Sequence, residues 1–375
     1  MFRQLLFFMA WILLDNAAAA TELYAFGESP RSFGMGGVRT LGVGGEQADC
    51  ILWNPAGLSY LKGFRWDVVN LGVGLNGTQT YQALQNIKGA GSGSGLAGLT
   101  PYYGIPLWVG GQGYSAIAVP YFGIAAFDNF YGKFKLHNPA LPELDADYLN
   151  DYGVSLAGSL DFGGFSIGTA FKRIDRTGGP VTIGSDILAG GNSANLQNDF
   201  TNEGVGYGVD LGMMYRAPVP LNPTVSVSWQ NIGKVTFQQT KGAAAPPMLD
   251  DDLTAGVSIS ADSTLAGFTT GIEYRHITDA NEELGKKIHL GTEIELSILT
   301  VRGGFYQGYP TYGVGLDLFL FELNAALYTV ETGAYPGQTP DQRFQVGLSS
   351  TLSFDPNFKL VDVGSSSRRK LKQRR

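Results

Sequence analysis

The sequence predicts an all-β fold, a transmembrane antiparallel β-barrel of about fourteen strands with an N-terminal plug, or hatch, inside its lumen. Three observations predict it. Charged residues make up only 16% of the chain, against about 25% in an ordinary soluble domain. Mean hydropathy is nevertheless near zero, and after the first twenty residues no long apolar run follows. From residue 63 onward the chain alternates apolar and polar residues in short segments divided by turn signals. That is too few charges for a soluble surface and too little continuous hydrophobicity for a bundle of membrane helices. Strands that face lipid on one side and a lumen on the other average to this value. Composition alone also fits a secreted soluble β-sandwich.

Residues 1–20 read as a secretory signal peptide. Arg3 supplies the positive start and Leu5 to Leu14 the apolar stretch. Asp15-Asn16 breaks that stretch, and Ala18-x-Ala20 offers small residues for cleavage before Thr21. The run is too short to span a bilayer as a helix. It places the mature chain outside the cytoplasm: periplasmic, secreted or in the outer membrane. The single cysteine, Cys50, excludes an internal disulfide. It lies too far from the leader for a lipoprotein acceptor, follows Asp49, and reads as a small buried residue.

Residues 21–62 are Gly-rich, without a sustained period, and are assigned to the plug. The barrel is assigned to 63–354, with strands at 64–76, 101–110, 114–129, 150–161, 164–175, 203–216, 223–235, 252–261, 266–278, 286–297, 299–307, 311–319, 321–331 and 342–354. These are fourteen, an even number that suits a bacterial barrel. Short turns fall at 111–113, 161–164, 217–222, 261–265, 297–298 and 318–320. Long loops fall at 77–100, 130–149, 176–202, 236–251, 279–285 and 332–341. Short turns belong on the periplasmic side and long loops outside.

Within strands the two faces separate. Phe268, Thr270, Ile272 and Tyr274 oppose Thr269, Gly271, Glu273 and Arg275. Ile288, Leu290, Ile294 and Leu296 oppose His289, Gly291, Glu293 and Glu295, and Val301 and Phe305 oppose Thr300, Arg302 and Gly304. The charges Glu273, Arg275, Glu293, Glu295 and Arg302 therefore collect on one face. In a barrel that face is a lumen of paired charges; in a sandwich it would simply be wet. The last segment, Phe344 to Phe354, sets Phe344, Val346, Leu348, Leu352 and Phe354 against Gln345, Gly347, Ser349, Thr351 and Ser353. Its terminal Phe resembles the signal read by the barrel assembly machinery of the outer membrane, although about twenty residues follow it. Those residues, 355–375, form a Ser-rich and then basic tail, expected to be disordered. Leader, strand count, turn alternation and terminal Phe together favour the barrel over the sandwich, with outer-membrane lipid as its surroundings.

The most specific motifs lie in the plug. Ser29-Pro30-Arg31-Ser32-Phe33-Gly34-Met35-Gly36-Gly37 is followed by Ala48-Asp49-Cys50-Ile51-Leu52-Trp53-Asn54-Pro55-Ala56-Gly57-Leu58. Glycines at 34, 36 and 37 permit a tight backbone path. Asn54-Pro55 initiates a turn, which Trp53 and Leu58 would anchor to the inner wall. These blocks resemble the plug signature of the FadL-type outer-membrane family, which has a G-M-G-G turn and then a W-N-P-A-G-L block. Looser likenesses to that family's last hairpins occur at 290–293, 301–305 and 313–316. The family comprises long-chain fatty-acid transporters, aromatic hydrocarbon transporters and PorV-like barrels associated with type IX secretion. The resemblance implies a fourteen-stranded barrel in which an apolar ligand binds beside the plug. Phe33, Gly34, Gly36, Gly37, Trp53, Asn54, Pro55 and Ala56 would then bind or gate. The resemblance further implies lateral exit through a kinked third strand. The segment 114–129, with Pro120 and Gly123 in its middle, is the candidate for that kink, or else a strand that tolerates a proline at a bulge. Loop 130–149, aromatic and carrying Lys133 and Lys135, would suit a mouth for an amphipathic acid.

No catalytic constellation stands out, and no cofactor or metal pattern. His137 falls in a loop, His276 on the lipid face and His289 in the lumen. The only basic run is the tail, which argues against nucleic acid as a partner. The expected function is passive uptake of hydrophobic or amphipathic small molecules. The alternative is a PorV-like barrel that tethers a secreted protein.

Overall fold

The computed structural model describes residues 28–39, 48–89, 101–138, 140–185, 201–263, 266–318 and 320–354. The expected signal peptide and basic tail lie outside the described residues. Strands β1 (Phe64–Asn76), β2 (Pro106–Val119), β3 (Phe122–His137), β4 (Glu143–Asp161), β5 (Phe165–Ile183), β6 (Glu203–Arg216) and β7 (Thr224–Gln230) form one run of the wall. A short β8 (Gln238–Lys241) follows. The second run is β9 (Asp252–Asp262), β10 (Gly267–Tyr274), β11 (Ile288–Leu296), β12 (Leu299–Tyr306), β13 (Tyr309–Asp317), β14 (Glu322–Glu331) and β15 (Pro340–Phe354). Neighbours pair antiparallel in sequence order, β7 pairs with β9, and β1 pairs with β15 to close the ring. Fourteen strands make the cylinder, and β8 is an extra four-residue piece paired to the start of β6.

The cylinder is inside out relative to a soluble protein. Leu71, Val73, Ile124, Val154, Phe171, Val225, Ile272, Val301, Leu323 and Val346 all point outward and are exposed. The opposite face of the strands points inward and carries charge: Asp151, Lys172, Asp210, Glu273, Glu293, Arg302 and Arg343 are buried. An apolar belt on every strand would drive a soluble protein to aggregate. In hydrocarbon it matches its surroundings. Among the described residues no helix is long and apolar enough to cross a membrane.

The closing strand is as the alternation predicts, with Phe344, Val346, Leu352 and Phe354 outward and Gln345 buried. Other boundaries differ. The expected turn at 111–113 is strand, because Gly110 and Gly111 make room for aromatic neighbours rather than bend the chain. A β-carbon at Gly111 would meet the Phe130 ring at 2.7 Å, and one at Gly110 the Trp108 ring at 2.4 Å. The turn lies instead at Pro120-Tyr121, with Tyr121 at φ 71°. The expected loop 130–149 is mostly strand: β3 runs to His137 and β4 starts at Glu143. There Lys133 stands opposite Asp147 and Lys135 opposite Asp145 in the ladder, so cross-strand positions carry opposite charges where the apolar alternation fades. The expected strand 223–235 stops at Gln230.

The rim is uneven. β4 and β5 are 19 residues long, whereas β12 and β13 have 8 and 9 and are joined by only Gln307-Gly308, both at positive φ.

Candidate functional site

Residues 28–39 and 48–61 lie inside the cylinder and are mostly buried. Helix α1 (Pro30–Gly34) begins under Ser29, whose hydroxyl accepts from the Ser32 amide at 3.3 Å. Pro30 occupies the first turn, where its missing amide hydrogen costs nothing. The helix ends in a left-handed turn, Gly36 at φ 66° and Gly37 at φ 82°.

The reason for glycine here is close approach. A β-carbon on Gly36 would stand 2.2 Å from the Leu290 carbonyl oxygen and 2.6 Å from that of Phe305. The wall answers with its own glycines. A β-carbon on Gly291 would meet the Met35 oxygen at 2.0 Å, and one on Gly313 the Gly34 α-carbon at 2.8 Å. Backbone thus lies on backbone. Thr311 fastens it, donating to the Gly34 oxygen at 3.2 Å and accepting from the Gly36 amide at 3.1 Å. His289 bonds the Gly36 oxygen through Nδ1 at 2.7 Å, which places the proton on that nitrogen.

Charge joins the same segment to the wall. Arg31 holds Glu293 through Nε at 2.9 Å and Nη2 at 2.7 Å, and Arg302 holds the same carboxylate at 2.6 Å. Arg302 continues to Glu322 at 3.2 Å. Further along, Arg39 pairs with Glu28 at 3.1 Å and Asp252 at 2.8 Å, and its amide donates to Glu273 at 3.0 Å. Arg275 also bonds Glu28. Of the five sequence-named lumen charges, Glu273, Arg275, Glu293 and Arg302 are fully buried and Glu295 is half-buried. His276, expected on the lipid face, lies past the end of β10 at φ 51°, and that turn swings it inward to 3.6 Å from Asp252.

The second half is the Trp53 to Ala56 turn, which follows helix α2 (Cys50–Trp53). The Asn54 side chain accepts from the Ala56 amide at 3.2 Å. Beneath it are Gly168 of β5 and Gly212 of β6; β-carbons there would meet the Pro55 carbonyl carbon at 2.3 Å and Asn54 Oδ1 at 2.1 Å. Ser166 donates to the Ala56 oxygen at 2.6 Å, Gln230 to that of Leu52 at 2.5 Å, and Ser228 to that of Trp53. Ile51, Trp53 and Leu58 join an apolar cluster with Tyr114, Phe127 and Ile174 of the wall. Cys50 is only partly buried at its edge. Asp49, in the same stretch, has its carboxyl pushed up to about 6 by burial and by the nearby Asp67.

Pro120 and Gly123 do not make a kink. Pro120 is in the β2–β3 turn, and the ladders of β3 to β2 and to β4 run without a register break. Gly123 is a seat for Ile51, whose Cδ1 a β-carbon would meet at 2.5 Å.

The interrupted strand is β7. After Gln230 the chain leaves the β7 ladder; Val235, Phe237 and Leu249 of the connector are buried, whereas the exposed β8 between them returns to pair with β6. Val235 and Phe237 lie against Gly204, Gly206 and Gly208 of β6, where β-carbons would meet them at 2.5–3.1 Å. Arg176 sits over the Phe237 ring at 4.6 Å and donates to the Pro247 oxygen at 2.8 Å. Sequence reasoning missed this connector. Its signal was present: Gly204, Gly206, Gly208 and Gly212 share one face of a single strand.

Above α1 and beside this connector is a cavity of ≈ 840 Å³. Phe33 stacks on Tyr328, centroids 3.9 Å apart, with Tyr306 edge-on to Phe33 at 5.6 Å. All three line it. Trp108 is on another side, with the Arg343 guanidinium over its ring at 4.1 Å. Lys234 and Asp250, paired at 2.7 Å and largely exposed, mark its outer edge. A recess of only ≈ 50 Å³ lies by Arg31, Asp49 and β1.

Solved structures share this fold. The toluene transporter TodX of Pseudomonas putida aligns over 90% of this chain and 99% of its own, at 12% identity and a TM-score of 0.51. A TodX deltaS2S3 mutant, a monoaromatic hydrocarbon channel, covers 88% of this chain and 99% of its own at 13% identity and TM-score 0.51. The CymD monoaromatic hydrocarbon channel covers 91% and 100% at 11% identity and TM-score 0.50. No family model matches the sequence, and no curated protein does. At these identities the likeness establishes the fold alone, a closed antiparallel β-barrel.

Proposed function

We propose that the protein is a passive conduit for hydrophobic or amphipathic small molecules across the outer membrane. Residues 28–39 and 48–61 act as its plug, so that Phe33, Gly34, Gly36, Gly37, Trp53, Asn54, Pro55 and Ala56 form the gate rather than a catalytic centre. The observation that carries this reading is the cavity of ≈ 840 Å³ seated on the plug, with the Phe33, Tyr306 and Tyr328 rings in its wall. Its size falls within the range of small-molecule sites. Solved neighbours of the same fold are a toluene transporter and monoaromatic hydrocarbon channels, which favours an apolar cargo.

Exit from the cavity is sideways, where β7 ends at Gln230 and β6 keeps only the four-residue β8 beyond it. The connector 231–249 covers that place and would have to shift. Flux of a radiolabelled aromatic hydrocarbon into vesicles, with and without the full chain, tests the conduit. Flux no faster than in empty vesicles removes it and leaves the tethering role.

A further inference from the structure

Three side-chain amides stand on the inward faces of adjoining strands: Gln345 on β15, Gln112 on β2 and Asn129 on β3. All three line the cavity and are buried. Gln112 and Asn129 are register partners. Between β15 and β2, β1 presents Gly72 opposite Gln112 and Gly74 opposite Gln345, and a β-carbon on Gly72 would meet the two Nε2 atoms at 3.0 and 3.1 Å and Pro30 at 3.0 Å. A bare glycine thus leaves the space in which two amides meet. Gln112 donates from Nε2 to Asn70 Oδ1 at 2.9 Å, which fixes its orientation. Its Oε1, the Oε1 of Gln345 and both amide atoms of Asn129 have no hydrogen-bond partner among the described residues.

Buried amides without partners are costly, so such a row calls for a ligand or ordered water to complete it. The neighbouring charges are already engaged. Arg343 pairs with Asp341 at 2.8 Å, Arg176 with Asp151 at 2.6 Å and Arg39 with Asp252 at 2.8 Å. The fixed Gln112 oxygen is an acceptor and needs a donor opposite it.

We propose that this cavity binds uncharged aromatic molecules carrying an O–H or N–H donor, and selects for that donor through Gln112, Asn129 and Gln345. The ring lies within the cavity beside the amide row, and a small rotation of Asn129 or Gln345 turns the buried amide atoms toward its donor. A carboxylate, an acceptor only, would face the Gln112 oxygen without gaining a cation. The inference rests on the conduit reading and sharpens its cargo.

Toluene, phenol and benzoate are suitable probes, titrated calorimetrically into the full-length protein in detergent. Phenol is expected to bind at least as tightly as toluene despite its greater hydration. Gln112→Leu and Asn129→Leu, made separately, should each weaken phenol by about fivefold to tenfold, the worth of a buried neutral hydrogen bond. Toluene should bind each variant as it binds the parent, and that retained binding shows that the barrel is intact. Equal loss of both ligands would mean a structural role for the amides and overturn the proposal. Phenol binding indifferent to both variants, or benzoate binding tighter than phenol, overturns it as well. In those outcomes toluene still binds the parent and the conduit reading stands. If none of the three binds, the conduit reading falls with it.

Discussion

Arg31 of the N-terminal segment inside the cylinder and Arg302 of β12 hold one carboxylate between them, that of Glu293, with contacts of 2.7 and 2.6 Å. That segment is therefore tied to the wall by a shared charge and not by apolar contact alone. Removing either arginine leaves Glu293 one cation. Removing the glutamate leaves two buried cations facing each other. Glu293→Ala should destabilise the barrel by about 3–5 kcal/mol, and Arg31→Ala by roughly 1–3 kcal/mol. The temperature at which the folded band is lost in detergent gel electrophoresis measures both. No loss of stability on Arg31→Ala would mean that Arg31 does not carry the tie.

Gly36 offers a steric test. Its φ of 66° and the 2.2 Å approach to the Leu290 oxygen leave no room for a methyl group. Gly36→Ala should unseat α1, cost more than about 2 kcal/mol and expose the plug to added protease. Gly77 is the control: it has φ 58° but open space around its β-position. Gly77→Ala should cost only about 1 kcal/mol. Similar proteolysis of the two variants would refute the close-approach argument.

Asp49 predicts a pH dependence. Burial pushes its folded carboxyl up to about 6, above the ordinary aspartate range. Folding therefore favours the protonated acid. That contribution is complete below the unfolded value and is lost as pH rises through 6. Asp49→Asn should match the parent near pH 4 and exceed it near pH 8 by roughly 2–3 kcal/mol. Urea midpoints at the two pH values decide it; a variant advantage at pH 4 alone would reverse the sign.

Phe237 tests the connector. It lies on Gly204 and Gly206 and under Arg176. Phe237→Ala should cost about 3–5 kcal/mol if the side chain is true core. By loosening 231–249 it should also raise hydrocarbon flux into vesicles. Faster flux with an unchanged melting temperature would separate gating from stability, whereas slower flux would contradict the assigned exit.

The barrel was legible in the sequence because lipid on one face and lumen on the other force a two-residue period, as in Phe344 to Phe354. The motif around Gly36 and the Asn54-Pro55 turn were legible as tight backbone, but their partners were not. Gly168, Gly212, Gly291 and Gly313 come from four different strands, and only closure of the ring brings them beneath the N-terminal segment. Residues 130–149 read as loop because the period fades where β3 and β4 set Lys133 opposite Asp147 and Lys135 opposite Asp145. Pro120 and Gly123 were read as one broken strand because a two-residue turn between two apolar segments has the same composition. The β7 connector was hidden for a further reason. Nothing local distinguishes a loop that buries side chains against the inner wall from one that stands outside, apart from glycines on the neighbouring strand.

Strand length gives the molecule a direction that its circular cross-section hides. Nineteen residues of β4 or β5 extend about 60 Å, and the eight of β12 about 27 Å, at roughly 3.3 Å each. Even after tilting, the first pair stands well clear of a hydrocarbon layer that the second barely crosses. A solute drifting down from the medium meets a tall screen on one flank and a low sill on the other. The low flank is covered instead by its neighbours: Gln307 is buried, and a β-carbon on Gly308 would meet Pro336 of the next hairpin at 3.0 Å.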